Sequence, residues 1–440
     1  MGTKVNTGPP RGMRDVLPDE VERRDVATQR ILAIYRSYGF RRIETPALES
    51  LRLLAGSGGG ENEKLIFKVL RRGEDLEGAL SAGEGELADL GLRYDLTVPL
   101  ARYYAENHAR LPDPLKAIQI GPVWRADRPQ KGRYRQFTQC DIDVLGVTSV
   151  VVEVELILAT AEALRTAFGL SELTVRINDR RVLSLIARQA GFTDDVQDEF
   201  FIIFDKLDKI GPGGVLAELR AAGHDPAAVA RFEALLPTLQ KGKMSLAELQ
   251  AACGASGAEA SAFEWLGAIV RATNPELPTG AQARFDPTLV RGMGYYTGTI
   301  FEVATPAFSS SIAGGGRYDR MIGRLLGREV PACGFSIGFE RLIALLGEQG
   351  PAKAPPGTER PDGRDQRLAL MVEDTGDLTG ALAAARQLRG EGHLVSLELK
   401  RKNMGKQLED LATHGFSAWA TYEGAGPTTV KPLTARRHRS

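Results

Sequence analysis

The order of apolar and polar residues predicts a chain in which helices and strands alternate. From about residue 18 to 38, apolar side chains recur at helical spacing, and Gly39 stands where a C-cap glycine would end that helix. The alternating stretch that follows runs into Pro46, which predicts a strand at a sheet edge. Strand-like runs recur at 116–123, 137–144, 298–304 and 332–337. Since these runs mostly neighbour turns rather than long helices, the pattern favours an antiparallel sheet.

The amino-acid composition changes twice later in the chain. Residues 173–280 are rich in Ala, Leu and Glu, which predicts a helical insertion, and the Pro- and Gly-dense residues 347–365 predict a linker. Beyond the linker, strands and helices alternate as in a small α/β domain. We therefore predict an α+β protein with a catalytic core in two pieces, an insertion, a linker and a C-terminal α/β domain. The predicted ranges are 1–172, 173–280, 281–346, 347–365 and 366–440.

Composition narrows the classes of protein to consider. A chain of 440 residues with 43% hydrophobic and 25% charged residues predicts a soluble protein of two or three domains. Lys and Arg together number 56, as do Asp and Glu, so any contact with nucleic acid must be local. The apolar run 147–164 contains three glutamates, which predicts a buried helix rather than a membrane span.

Several kinds of site are not expected. The three cysteines form no CxxC pair and the five histidines lack partners at metal-ligand spacing, so we expect neither a disulfide framework nor a protein-held metal. No P-loop occurs, and the triple glycine 314–316 lacks the dinucleotide-binding spacing, so side chains must hold any phosphate. The start lacks an apolar signal region, and a cytoplasmic location is expected. Ser245 and Glu248 form a capping-box pattern, which explains the Lys-Met-Ser run there better than a nucleotide-binding signature does.

The strongest chemical pattern is a basic loop between two strand-like stretches, within residues 121–143. Five Lys or Arg residues occupy this loop. Guanidinium groups bind polyphosphates in two-point contacts that lysine cannot make. Taken alone, the block also fits a solvated basic hairpin.

Further blocks stand in a fixed order around it. They read PRGMRD, SYGFRRIETP, LRYDLTVP, LVRGMGYYTG, AGGGRYD and GFSIGFER, at residues 10–15, 37–46, 92–99, 289–298, 313–319 and 334–341. With the basic loop, they resemble the histidyl-tRNA synthetase family, in its eukaryote-type variant, within the class II aminoacyl-tRNA synthetases. The resemblance implies an antiparallel sheet flanked by helices, ATP and Mg²⁺, histidine and tRNA(His) as partners, and a homodimer built on residues 37–46.

The resemblance also assigns roles to single residues. Arg125 and Arg291 would be the catalytic cations at the α-phosphate. ATP would be held by Arg125, Asp127, Arg133, Phe137 and Arg341. Histidine would be held by Asp95, Thr97, Gln139, Asp143, Arg291, Tyr295, Tyr296 and Tyr318. This chain departs from the family at Gly294, where Asp is usual.

Other interpretations remain open from the sequence. Asp95 also fits an ordinary N-cap residue, and Tyr295, Tyr296 and Arg291 also fit a buried structural cluster. The whole chain could instead be a histidine-binding regulatory subunit of ATP phosphoribosyltransferase. A third possibility is a paralogue that makes histidyl-adenylate for an acceptor other than tRNA.

Overall fold

The computed structural model describes most of the chain. Described residues are 7–56, 64–82, 87–129, 134–240, 245–257, 259–292, 294–308, 310–349, 367–374, 376–414, 416–424 and 429–433. The predicted ATP ligand Arg133 lies outside them, as does most of the predicted linker.

An eight-stranded sheet forms the centre of the molecule. Its strand order is β1-β5-β6-β11-β10-β9-β7-β8, in which the two edge pairs are parallel and the inner pairs antiparallel. Smaller sheets have the orders β2-β4-β3 and β13-β12-β14-β15. Strands β1 to β15 span Arg41–Arg42, Leu48–Ser50, Lys68–Leu70, Ala88–Leu92, Leu115–Trp124, Gln136–Leu145, Leu173–Asp179, Ala281–Phe285, Thr299–Ala304, Ala313–Arg317, Ala332–Gly338, Arg367–Val372, Leu394–Leu399, Ala418–Thr421 and Lys431–Pro432.

Helices pack around these sheets. In chain order, helices α1 to α15 span Pro18–Ser37, Leu51–Gly56, Glu74–Ala82, Thr97–Asn107, Val150–Phe168, Arg180–Ala190, Gln197–Phe204, Leu207–Ala221, Pro226–Gln240, Leu246–Ala252, Ala260–Thr273, Asp319–Leu326, Phe339–Gln349, Leu378–Gly390 and Met404–Thr413. Among the described residues, no helix is both long enough and apolar enough to cross a membrane.

The predicted fold class is confirmed, as a mixed α and β structure with a large, mostly antiparallel sheet flanked by helices. The strands expected at 116–123, 137–144, 298–304 and 332–337 are present. The capping box at Ser245 is also present.

The sequence analysis differs from the structure in three details: two expectations are wrong and one strand was not predicted. Residues 173–179, placed in the helical insertion, form strand β7 because their alternating apolar side chains are buried in the central sheet. Residues 313–317, with their three glycines, form a strand that the composition concealed. Residues 347–349, assigned to the linker, complete helix α13.

Helix α5 is mostly buried and packs against the central sheet. Most of its side chains are fully enclosed, since the helix lies between the sheet and helix α1. Glu153 on α5 is also buried, and it accepts two hydrogen bonds from Arg317 of β10, at 2.9 and 2.8 Å. This ion pair fixes the end of β10 next to Tyr318, one of the predicted site residues.

Candidate active site

The middle of the central sheet carries three polar side chains on one face of strand β6. Gln139, Asp141 and Asp143 alternate along the strand, so they share a face. Their exposed fractions are 9%, 3% and 2%. Strand β11 places Ser336 beside Asp141 and Gly334 beside Asp143. Strand β6 therefore builds the floor of a buried polar pocket.

Glycines on the neighbouring strands keep this pocket open. A Cβ atom on Gly334 would collide with the Asp143 carboxylate, and one on Gly314 would collide with the Arg291 guanidinium. Gly314 pairs with Ser336, so Arg291 lies above the sheet close to the polar row. Glycine is needed at both positions because charged side chains fill the space that a side chain would take.

Asp95 reaches the pocket from the start of helix α4. Its Oδ1 accepts a hydrogen bond from the Val98 N–H at 3.1 Å. The N-cap interpretation therefore explains one of the two carboxylate oxygens. Oδ2 has no hydrogen-bond partner in the described structure. Burial raises the pKa of Asp95 to about 6, although the Val98 N–H and the Arg125 charge oppose the rise. Thr97, the first residue of α4, lies half-buried two residues away.

Asp143 is held in a similar way. The Tyr318 hydroxyl donates to its Oδ1 at 2.6 Å, while Oδ2 has no partner among the residues described. Burial raises the pKa of Asp143 to about 7, with Tyr318 opposing and the charge of Asp95 adding to the rise. Burial and the charge of Asp143 raise the pKa of Asp141 well above its usual range. These carboxylates therefore repel one another within a single pocket.

Three tyrosines and an arginine line another side of the pocket. The ring centroids of Tyr295 and Tyr296 are 4.8 Å apart, and those of Tyr295 and Tyr318 are 6.2 Å apart. Arg291 forms an ion pair with Glu302 of β9 at 2.8 Å. The Arg291 charge also lowers the pKa of Tyr296 against the larger effect of burial, which raises it. The structure thus brings together four of the residues that the sequence assigned to histidine.

The residues assigned to ATP lie along the β5–β6 hairpin. Arg125 donates from Nε to the carbonyl of Tyr94 at 2.9 Å, and its guanidinium lies 5.1 Å from the centre of the Phe137 ring. The carbonyl of Asp127 accepts from Arg135 Nε at 3.0 Å. Arg125 is therefore tied to the residue before Asp95, which places the two groups of predicted ligands side by side.

Arg341 is anchored elsewhere. Its guanidinium donates to Ser310 Oγ at 2.9 Å and to the Ser311 carbonyl at 2.8 Å. Its partners in the described structure are thus in a loop before β10, not among the other predicted ligands. No cluster of three or more His, Cys, Asp or Glu side chains able to hold a metal ion occurs in the described ranges.

Comparison with known proteins places this site in a family. The family model for histidyl-tRNA synthetase matches residues 12–342. The chain belongs to the histidyl-tRNA synthetase family. It is 46% identical to the histidine–tRNA ligase of Leifsonia xyli subsp. xyli, covering 97% of this chain and 98% of that protein. It is 40% identical to the histidine–tRNA ligase of Gloeobacter violaceus over 77% of this chain and 75% of that protein.

Solved structures agree with this assignment. A histidyl-tRNA synthetase from a Nostoc species is 26% identical, with a TM-score of 0.63 over 98% of this chain and 95% of that chain. A Bacillus halodurans protein described as an ATP phosphoribosyltransferase regulatory subunit/histidyl-tRNA synthetase has a TM-score of 0.64 at 21% identity over 93% of this chain and 98% of that chain. That second similarity bears on the fold alone.

The pocket of this histidyl-tRNA synthetase family member has an unusual electrostatic feature. Three buried acceptor atoms, Asp95 Oδ2, Gln139 Oε1 and Asp143 Oδ2, have no hydrogen-bond partner in the described ranges. Buried polar atoms are normally paired, and an unpaired one costs about 1–3 kcal/mol. A cationic ligand with several N–H donors would remove this cost, and the α-ammonium group and imidazole of histidine supply such donors.

Sequence reasoning did not select three residues that build this site. Asp141 lies between two selected residues at the strand period of two, which was a usable signal. Ser336 lies within a recognised block but was given no role. Glu302, which holds Arg291, gave no signal because only the pairing of β9 with β10 places it there.

Proposed function

We propose that this protein ligates histidine to tRNA(His) in two steps, with ATP entering as its Mg²⁺ complex. The family assignment supports this proposal, and the decisive observation is the set of unpaired acceptors at Asp95, Gln139 and Asp143. These atoms would accept from the ammonium and imidazole groups of histidine. Tyr295, Tyr296 and Tyr318 would enclose the ring, and Thr97 would supply a further acceptor beside Asp95.

In the first step the histidine carboxylate attacks the α-phosphorus of ATP, which gives histidyl-adenylate and pyrophosphate. Arg125 and Arg291 would stabilise the charge that develops at the α-phosphate. Phe137 would stack on adenine, Asp127 would contact its edge, and Arg133 and Arg341 would bind the outer phosphates. In the second step a hydroxyl of the terminal ribose of tRNA attacks the carbonyl carbon of histidyl-adenylate, which forms the ester to tRNA and releases AMP.

The fixed position of Arg291 supports its catalytic role. Glu302 holds its guanidinium at 2.8 Å, so little reorganisation is needed when negative charge develops nearby. Arg125 is similarly fixed by the Tyr94 carbonyl. Gly294, at the usual position of an aspartate, is exposed, so the acceptors of the pocket floor would have to serve the ligand without it.

We also propose a role for each domain of the chain. Residues 1–172 and 281–346 would form the catalytic core, with strand β7 counted in the core sheet. The rest of the range 173–280 would form the insertion, and residues 366–440 would contact tRNA. A cytoplasmic location fits substrates of this kind.

A homodimer is part of the proposal. The small sheet β2-β4-β3 follows the 37–46 block and exposes Leu48, Leu70 and Leu90 by 42%, 58% and 38%. In the proposed dimer, a second copy of the chain would cover these exposed leucines of the small sheet. Sedimentation analysis of the wild-type protein tests this point, because a monomer at micromolar concentration would contradict it.

One pair of assays tests the function. Histidine-dependent exchange of pyrophosphate into ATP measures the first step, and charging of a tRNA(His) transcript measures the second. Activity in both is expected. Exchange without charging would favour a different acceptor. Histidine binding with neither activity would favour a regulatory subunit. The histidine–tRNA ligase relative, 46% identical over 97% of this chain, favours neither alternative.

A further inference from the structure

The side-chain amide of Gln139 has one end bound and one end free. Its Nε2 donates to Ser336 Oγ at 3.0 Å and lies 3.5 Å from Asp141 Oδ2. The Ser336 hydroxyl in turn donates to Asp141 Oδ1. Oε1 of Gln139 is buried and has no hydrogen-bond partner in the described part of the chain. The three side chains thus form a closed group that leaves one acceptor free.

We infer that Asp141 and Ser336 are positioning residues that fix the Gln139 amide with its oxygen toward the ammonium group of the substrate. This inference rests on the proposed function and adds a role for two residues that contact no substrate. An amide presents an acceptor at one end and two donors at the other, so its orientation decides whether a cation is attracted or repelled. Reversing the Gln139 amide would place its oxygen against a carboxylate and its NH₂ group toward the ammonium.

The Ser336 hydroxyl gives the direction of these hydrogen bonds. Its single proton is donated to Asp141 Oδ1, so its oxygen can only accept from a further neighbour. That neighbour is the NH₂ end of Gln139, which donates to Ser336 Oγ at 3.0 Å. Asp141 therefore sets the orientation of the amide through Ser336 as well as directly.

No other side chain in the described structure competes for this role. Gln119 lies opposite Asp141 on strand β5, but its amide donates to the Leu96 carbonyl at 2.9 Å and accepts from Thr45 at 3.2 Å. Both ends of the Gln119 amide are thus bound to other groups, and Gln119 forms no hydrogen bond with the Gln139 group in the described structure. The hydrogen-bond donors to Asp141 within the described ranges are Ser336 and Gln139.

The position of Asp141 suits the binding of a cation better than it suits stability. A buried carboxylate with two neutral donors and no ion-pair partner in the described residues is costly in the empty protein. Asp95 and Asp143 lie close enough to raise this cost further. This cost is offset when the ligand is bound, because Asp141 and Ser336 then hold the Gln139 oxygen toward the ammonium group.

The test compares two ligands that differ in a single group. Histidine and its α-hydroxy analogue share the imidazole and the carboxylate, but the analogue has a hydroxyl in place of the ammonium. A hydroxyl both donates and accepts, so it tolerates either orientation of Gln139. Calorimetry without ATP gives the ratio of the two dissociation constants, and this ratio is the measure of ammonium preference.

The variants are Asp141→Asn, Ser336→Ala, Gln139→Met and the double variant Asp141→Asn/Gln139→Met. Asp141→Asn should lower the ammonium preference by about tenfold, the usual weight of a hydrogen bond to a charged group, and Ser336→Ala should lower it by a smaller factor. Gln139→Met should lower it at least as much. The double variant should match Gln139→Met alone, because residue 141 acts through residue 139.

A matched control is available in the C-terminal sheet. Glu398 is a buried carboxylate that accepts from the Ser396 hydroxyl at 2.6 Å, far from the pocket in sequence and on a different sheet. Glu398→Gln should leave the ammonium preference unchanged while removing a similar buried charge.

The outcomes separate the possible failures. Equal weakening of both ligands in Asp141→Asn, or additive losses in the double variant, would overturn the inference and leave Asp141 with a structural role. If Asp141→Asn does not fold, an unchanged preference in Ser336→Ala would overturn it equally. A wild-type protein that binds neither ligand would defeat the proposed function itself, and the inference with it.

Discussion

Replacing Asp143 by Asn should stabilise the ligand-free protein at alkaline pH while it weakens histidine binding. Asp143 is 2% exposed and has one oxygen without a partner in the described ranges. Its pKa rises from 3.8 to about 7 in the folded protein, so keeping it ionised above pH 7 costs about 4 kcal/mol, at about 1.4 kcal/mol per pKa unit. Asn keeps the acceptor for the Tyr318 hydroxyl but places an NH₂ group at the unpaired position, which costs about 1–3 kcal/mol. A net gain of about 1–3 kcal/mol is expected at pH 8.

The pH dependence of this gain follows from linkage. Below about pH 4 the carboxyl group is protonated in both the folded and the unfolded chain, so the charge costs nothing. Between about pH 4 and 7 the unfolded chain releases its proton while the folded protein keeps it, and the free energy of unfolding of the wild type falls. Above pH 7 the full penalty is present. The difference in stability between variant and wild type should therefore rise from pH 5 to pH 8.

Urea unfolding at pH 5 and pH 8 measures this difference. Asp198→Asn serves as the control, because Asp198 is an exposed carboxylate paired with Arg180 at 3.1 Å and should change stability little at either pH. A stability difference for Asp143→Asn that is equal at both pH values, or a loss of stability at pH 8, would refute the account of the pocket as a site of unpaired acceptors.

Three further predictions concern activity. Arg291→Ala should slow pyrophosphate exchange by roughly 10²–10³ while the protein stays folded, and exchange at the wild-type rate would contradict the role of Arg291 at the α-phosphate. Histidine should support exchange strongly and proline or threonine only at background, because a pocket of hydrogen-bonding groups rejects ligands that leave those groups unpaired; comparable rates with proline would end the histidine assignment. The KM for histidine should rise as the pH falls below about 7 and again below about 6, since Asp143 and then Asp95 take up protons. A KM that stays constant from pH 8 to 5.5 would show that neither carboxylate binds the ligand.

The sequence predicted several strands of the central sheet closely and missed two others. Strands β5 and β6 were predicted from strand-like runs, and both occur within one residue of their predicted bounds. Strand β10 escaped prediction because Ala-Gly-Gly-Gly-Arg has no apolar alternation, and its backbone pairs on both sides instead. Strand β7 was missed although its apolar side chains alternate, because the Ala-, Leu- and Glu-rich composition of residues 173–280 predicted helix for the whole range.

The site was predictable only as far as the family resemblance reached. Asp95, Asp143 and Tyr318 were selected from sequence blocks, and the structure brings them into one pocket. The partners that hold these residues in place come from strand register, which no local pattern contains. Ser336 lies beside Asp141 only because β11 pairs with β6, and Glu302 reaches Arg291 only because β9 pairs with β10.

The packing of the C-terminal sheet changes how the two reaction steps can be separated. All the sequence blocks precede the linker, which suggests that residues 366–440 could be deleted without harm to adenylate formation. In the structure, however, Lys116 of β5 pairs with Glu155 at 2.6 Å and donates to Ser396 of the C-terminal sheet at 2.9 Å. All three side chains are buried. Deletion would expose this ion pair one residue from Ala117, which pairs with Asp143 in the sheet, so both steps would suffer. Substitutions of exposed C-terminal residues such as Lys402, which leave this contact intact, are therefore the better probe of tRNA binding.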